Sequence, residues 1–184
     1  MDMKKLLIQV LLLCALFASA QAVIYVYVEE GVKLPLDEVT LYGGSPMKKV
    51  SSDGDLSTFV LSGYVDKNDK SKLYATPNLK LLLATTKSDN LIKISGDKGL
   101  LKVSLSEDNF TDDSEEAWEL TSERFYEKCT QCHPAKVVEE HTMLEWEGLF
   151  GSMKEFAKPT NEDTQYILRF LRAYAKDGIV KEVE

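Results

Sequence analysis

Two periods of hydrophobic and polar residues divide the chain. From residue 23 to about residue 105, short β-branched and aromatic runs alternate with turn residues, the pattern of strands. The runs are 23–28, 41–42, 47–50, 56–65, 73–76, 79–86, 91–94 and 100–105. Gly31, Gly43-Gly44-Ser45-Pro46, Ser52-Asp53-Gly54-Asp55, Lys67-Asn68-Asp69, residues 87–90 and Gly96-Asp97-Lys98-Gly99 separate them. Many short strands with close turns predict a small β-barrel or sandwich, an SH3-like barrel among the options. Helical spacing is missing before about residue 120.

The second half changes period. Ser122 is a plausible N-cap with Glu123 behind it, and Phe125 and Cys129 share a helix face. Pro134 predicts the end of that helix, directly after His133. Thr142-x-x-Glu145 is a capping box and predicts a helix over 143–157. Its apolar face carries Trp146, Leu149, Phe150, Met153 and Phe156 or Ala157, and Pro159 closes the segment. Thr160-x-x-Asp163 opens a third helix that runs toward Lys176 and meets Gly178. Tyr166, Ile167, Phe170, Leu171 and Tyr174 form its stripe, expected to pack on Phe125. The polar stretch 111–116 lies between the halves as a linker. The expected organisation is α+β: a β-rich domain over 21–116, then a small all-α cytochrome c-like domain over 117–184.

The first twenty residues belong to neither. Lys4 and Lys5 precede an apolar run over 6–17, then Ala18-Ser19-Ala20, with Ala20-Gln21-Ala22 as the near alternative cleavage site. This is the pattern of a cleaved secretory signal, over residues 1–20, and it predicts a periplasmic protein. The run is too short for a membrane span. Cys14 follows Leu13 rather than a small residue, which argues against a lipid anchor. Loss of the signal leaves two of the three cysteines, so no structural disulfide is expected beside their use in one motif. It also removes Lys4, Lys5 and Asp2, leaving twenty basic against twenty-nine acidic residues, a formal −9. Such a balance argues against nucleic acid and anionic membranes as partners, and favours a partner with a positive patch.

Those two cysteines lie in Cys129-Thr130-Gln131-Cys132-His133, the attachment pattern of a c-type haem. Two thiols at this spacing can add to the two haem vinyl groups, and the adjacent histidine then serves as the proximal iron ligand. A thioredoxin-like pair would need a strand-to-helix setting, and zinc would need two more ligands, for which only His141 is at hand. One covalent haem c is therefore expected on Cys129, Cys132 and His133. For the distal iron position the candidates are Met153 first, His141 second and Met143 third, with Met47 behind them. Met153 lies on the apolar helix face, where ordinary core filling is the commoner role. His141 sits beside Glu139 and Glu140, a setting equally suited to a surface histidine.

The run from Phe125 to His133, with Thr142-x3-Trp146-x6-Met153 behind it and the helix from Tyr166 to Tyr174, resembles the C-terminal monohaem module of TorC-type cytochromes c. The resemblance covers roughly residues 118–176, and is weaker upstream at Leu61-Ser62-Gly63-Tyr64-Val65 and Lys72-Leu73-Tyr74-Ala75. It implies an electron donor to a periplasmic molybdenum reductase of trimethylamine N-oxide or related S- and N-oxides, and it adds support to Met153. The family's multihaem quinol-oxidising domain has no counterpart in this single-motif sequence. A membrane multihaem cytochrome, or another cytochrome, is then the expected upstream partner. The chain is expected to be an electron carrier rather than an enzyme, without a stable membrane anchor. Two alternatives stand beside this: a haem subunit held permanently in an oxidoreductase complex, and a gas-binding sensor or enzyme with an open distal site.

Overall fold

The computed structural model describes residues 23–29 and 31–181. The expected signal over 1–20 lies outside them. The described residues form ten strands: β1 (Val23–Val26), β2 (Lys33–Pro35), β3 (Val39–Tyr42), β4 (Pro46–Asp53), β5 (Leu56–Tyr64), β6 (Lys72–Tyr74), β7 (Leu82–Thr86), β8 (Ile92–Ser95), β9 (Lys98–Ser106) and β10 (Phe110–Thr111). Three α-helices follow: α1 (Ser114–Cys129), α2 (Met143–Ala157) and α3 (Asn161–Tyr174).

All ten strands belong to one antiparallel sheet curled into a half-barrel. Its order is β10-β1-β4-β5-β6-β7-β3-β2, with β9 on β5 and β8 beyond β9. The long pair β5 and β9 forms the spine, in unbroken register from Leu56↔Ser106 to Tyr64↔Lys98. Period-two alternation fixes that register: Phe59 and Leu61 of β5 and Leu101, Val103 and Leu105 of β9 face the core. Val26, Leu41, Met47, Leu73 and Leu83 complete it from the other strands.

The fold class expected from the sequence is corrected here. The helices do not form a separate small all-α cytochrome c domain behind a closed barrel or sandwich; they pack onto the one open, curled sheet. Their hydrophobic cluster is not closed by helices alone. Leu81, from the segment before β7, is buried within it together with Trp118, Phe125, Ile167 and Phe170. Three helices of 14 to 16 residues have too little mutual surface to bury every apolar stripe, and the sheet supplies the missing wall.

Two side chains make the joint. Trp118 of α1 is 1% exposed and packs on the backbone of Gly44. Arg169 of α3 is buried; its Nε donates to Gly43 O at 2.7 Å, its Nη1 to Leu82 O at 2.8 Å, and its Nη2 to Gly43 O and Ser45 Oγ. Burial pulls this guanidinium down to about 9, still above neutral pH, so these turn and strand carbonyls hold a cation.

Candidate haem-attachment site

The start of α1 differs from the sequence expectation. Its N-cap is Asp113, not Ser122: Asp113 Oδ1 accepts from Glu115 N at 2.8 Å and Glu116 N at 3.4 Å. Glu115 and Glu116 then occupy the first turn, where the helix dipole favours acids. Part of the stretch taken as a linker is therefore helix. The buried face carries Trp118, Thr121 and Phe125, and Cys129 continues it at the last helical residue.

The helix also ends earlier than Pro134 suggests. The two residues between the cysteines explain why. Thr130 Oγ1 donates to Tyr126 O at 2.6 Å, and Gln131 Nε2 donates to Glu127 O at 3.1 Å. Together they satisfy terminal carbonyls and turn the chain off the helix. Cys129 is left half-buried at the edge of the helical core, while Cys132 and His133 stand exposed beyond it.

His133 has a defined tautomer. Its Nδ1 lies 2.8 Å from Pro134 O, and a carbonyl oxygen only accepts, so Nδ1 carries the proton. In the neutral ring the lone pair is then on Nε2, the nitrogen free to meet a metal. A hydrogen bond on the far nitrogen is the usual way a ligating imidazole is oriented.

A thiol-disulfide exchange centre fits this setting poorly. Reactive Cys-x-x-Cys thiols sit where a helix N-terminus lowers the thiol pKa. Cys129 instead closes α1, at the negative end of the dipole, and burial pushes its thiol up. Among the described residues, no group of three or more His, Cys, Asp or Glu side chains is placed to share a metal ion.

Phe125, one turn before Cys129, is 3% exposed and lies 5.0 Å from Phe170 and 6.4 Å from Trp146 between ring centres. The packing of α3 on Phe125 is thus as expected. Trp146 is buried on α2, and its Nε1 donates to Val138 O at 2.8 Å, fixing the tight turn Val138–Glu140 that follows the motif loop. The capping boxes Thr142/Glu145 and Thr160/Asp163 are both formed, so α2 and α3 begin where the sequence places them.

The four distal candidates differ in surroundings. Met143 is fully buried, and Asn78 Nδ2 lies 3.4 Å from its sulfur. Met47 is buried in the sheet core, away from the helices. His141 is half-buried with its ring edge-on to Trp146 at 5.1 Å. Met153 is 44% exposed, one turn after the half-buried Leu149. Leu149 and Cys129 both pack at the rim of the same helical core. Beyond Phe150 the apolar face of α2 comes out of the core, and Phe156 is 78% exposed. Tyr126 and Val137, on either side of the motif, are also exposed.

A covalent haem is chemically compatible with these residues. The spacer residues present both thiols at a helix end, the histidine offers Nε2, and uncovered apolar side chains flank the motif. The sequence reading missed Arg169, although a charged residue beside Tyr166, Ile167 and Phe170 on an otherwise apolar stripe is a signal that could have marked it. No protein-family model, no curated protein and no solved structure matches this chain.

Proposed function

We propose that this protein is an exported monohaem c-type cytochrome that transfers electrons. The observation that carries the proposal is the Cys129–His133 segment at the end of α1, with Nδ1 of His133 committed to Pro134 O. The haem, when attached, supplies the one-electron chemistry. Cys129 and Cys132 hold its edge, and His133 Nε2 is the proximal donor. Met153 is the proposed distal donor, because its thioether is uncovered while that of Met143 is enclosed beside Asn78. Tyr126 and Val137, on either side of the motif, are the exposed side chains at hand to exclude water. The acceptor, a molybdenum reductase of S- or N-oxides, rests on the sequence resemblance. So does the upstream cytochrome.

The test is export of the protein in cells with a c-type haem maturation system, followed by mass measurement under denaturing conditions. One covalent haem per chain is expected in the parent protein, and none stably held in Cys129→Ala/Cys132→Ala. A chain that leaves the cell fraction without haem, or a double variant that keeps it, overturns the proposal. Reduced and oxidised spectra of Met153→Ala then report the distal position: a low-spin six-coordinate spectrum in the parent becomes five-coordinate, and carbon monoxide binds readily.

A further inference from the structure

We propose that the face of the sheet turned away from its core is a docking surface for an anionic phospholipid bilayer. Strand register defines this face, and nothing about it depends on the haem. Because Phe59, Leu61, Leu101 and Val103 face inward, their neighbours on β5 and β9 face outward. Pairing then sets Lys48, Val60 and Lys102 in one row across β4, β5 and β9. Ser62, Leu100 and Lys93 form the next row across β5, β9 and β8, and Tyr64, Lys98 and Ser95 the third. Strands lie ~4.8 Å apart and successive outward rows ~7 Å apart, so four lysines from three strands fall within a small area of the sheet's outer face.

All four lysines are exposed. Among the described residues none of them has an ion-pair partner, whereas Lys49, Lys72 and Lys80 each have one and Lys128 has two. Lys98 reaches over the Tyr64 ring, 3.2 Å from its centre, and Leu100 stands 49% exposed beside it. The three rows contain no acidic residue; Asp53 ends β4 on one side and Asp97 occupies the β8–β9 turn on the other. In a chain of net charge −8 this is a segregation of charge. The acids gather elsewhere, with Glu115, Glu116, Glu119, Glu123 and Glu127 all exposed on α1.

The composition of the face separates a bilayer from an acidic protein. Protein interfaces deplete lysine and favour arginine and large aromatic anchors. Here the cations are all lysine, and an aliphatic side chain and a tyrosine lie among them. Lysine stems run along apolar surface and lift their charge to headgroup level, where tyrosine also resides. Each lysine close to an anionic leaflet contributes about fivefold in partition, an effect confined to a Debye length.

Vesicle sedimentation tests this. The exported full-length protein is spun at low salt with vesicles of phosphatidylcholine alone, or containing phosphatidylglycerol. Partition to the anionic vesicles only, reversed by high salt, is expected. Lys93→Gln/Lys98→Gln should lower it about 25-fold, and Lys48→Gln/Lys102→Gln by a similar factor. Lys136→Gln/Lys154→Gln, remote from the face, should leave it unchanged. Circular dichroism identifies any variant that has lost its fold, and the second lysine pair then decides. Equal binding to neutral vesicles, no vesicle binding, or equal loss in the remote pair overturns the inference. Retention on polyglutamate through the same lysines, without vesicle binding, assigns the face to an acidic protein instead.

Discussion

The backbone of Gly44 and the indole of Trp118 are in direct contact. A Cβ on Gly44 would fall 2.3 Å from Cε2 and Cζ2 of Trp118, and Gly44 has φ +73°. One residue thus supplies the left-handed turn between β3 and β4 and the clearance that seats α1 on the sheet. Gly44→Ala is expected to lose about 2–4 kcal/mol, from overpacking and backbone strain together. Urea unfolding followed by tryptophan fluorescence measures it, and a loss below 0.5 kcal/mol would show that the joint yields.

Arg169 makes a second joint, and its bonds run to carbonyls rather than to a carboxylate. Arg169→Leu leaves Gly43 O and Leu82 O without those donors. A loss of about 3 kcal/mol is expected, close to that of breaking a buried charged network. Arg169→Lys should recover little, since one ammonium cannot span both carbonyls. Full rescue by lysine, seen as an unchanged urea midpoint, would sink this account.

The methionines of α2 give a contrast that requires no haem. Met143 is 0% exposed and Met153 is 44% exposed. In the haem-free protein, Met143→Ala should cost about 2–5 kcal/mol and Met153→Ala less than about 0.5 kcal/mol. Thermal melts of the two variants provide the comparison.

Acid stability should depend on Glu147. Its carboxylate accepts from Lys80 Nζ at 2.8 Å and Arg172 Nη2 at 2.9 Å, joining α2 to the segment before β7 and to α3. The Lys80 bond, more than the opposing partial burial, holds the carboxyl below its ordinary value, with Arg172 adding to the effect. A depressed carboxyl contributes stability that is whole above its unfolded value and disappears as pH falls through its folded value. Stability should therefore decline below about pH 4.5, and Glu147→Gln should flatten that decline. An identical pH profile for the variant would remove Glu147 from the explanation.

Thiol chemistry offers a direct check on the site. Cys132 is exposed, while Cys129 is half-buried with its thiol pushed up by burial. In haem-free protein, iodoacetamide should modify Cys132 about tenfold faster than Cys129, as peptide mass mapping would show. The reverse order, with Cys129 the faster, would match a thioredoxin-like nucleophile.

What the sequence determined is what depends on near neighbours. The runs at 56–65 and 100–105 became β5 and β9, because period-two alternation is a local property. Thr142/Glu145 and Thr160/Asp163 set the starts of α2 and α3 through bonds spanning three residues. Cys129-x-x-Cys132-His133 was legible for the same reason. Short strands β2 and β10 escaped notice, since two or three residues carry no period. So did the Asp113 cap, hidden in an acidic stretch. Tertiary structure alone decided that the strands form one open sheet and that the helices complete their core with Leu81. It also buried Met143 while leaving Met153 uncovered, carried Arg169 inward, and gathered Lys48, Lys93, Lys98 and Lys102 on one face. Each outcome depends on register or packing between segments distant in the chain, and no local pattern of residues encodes those pairings.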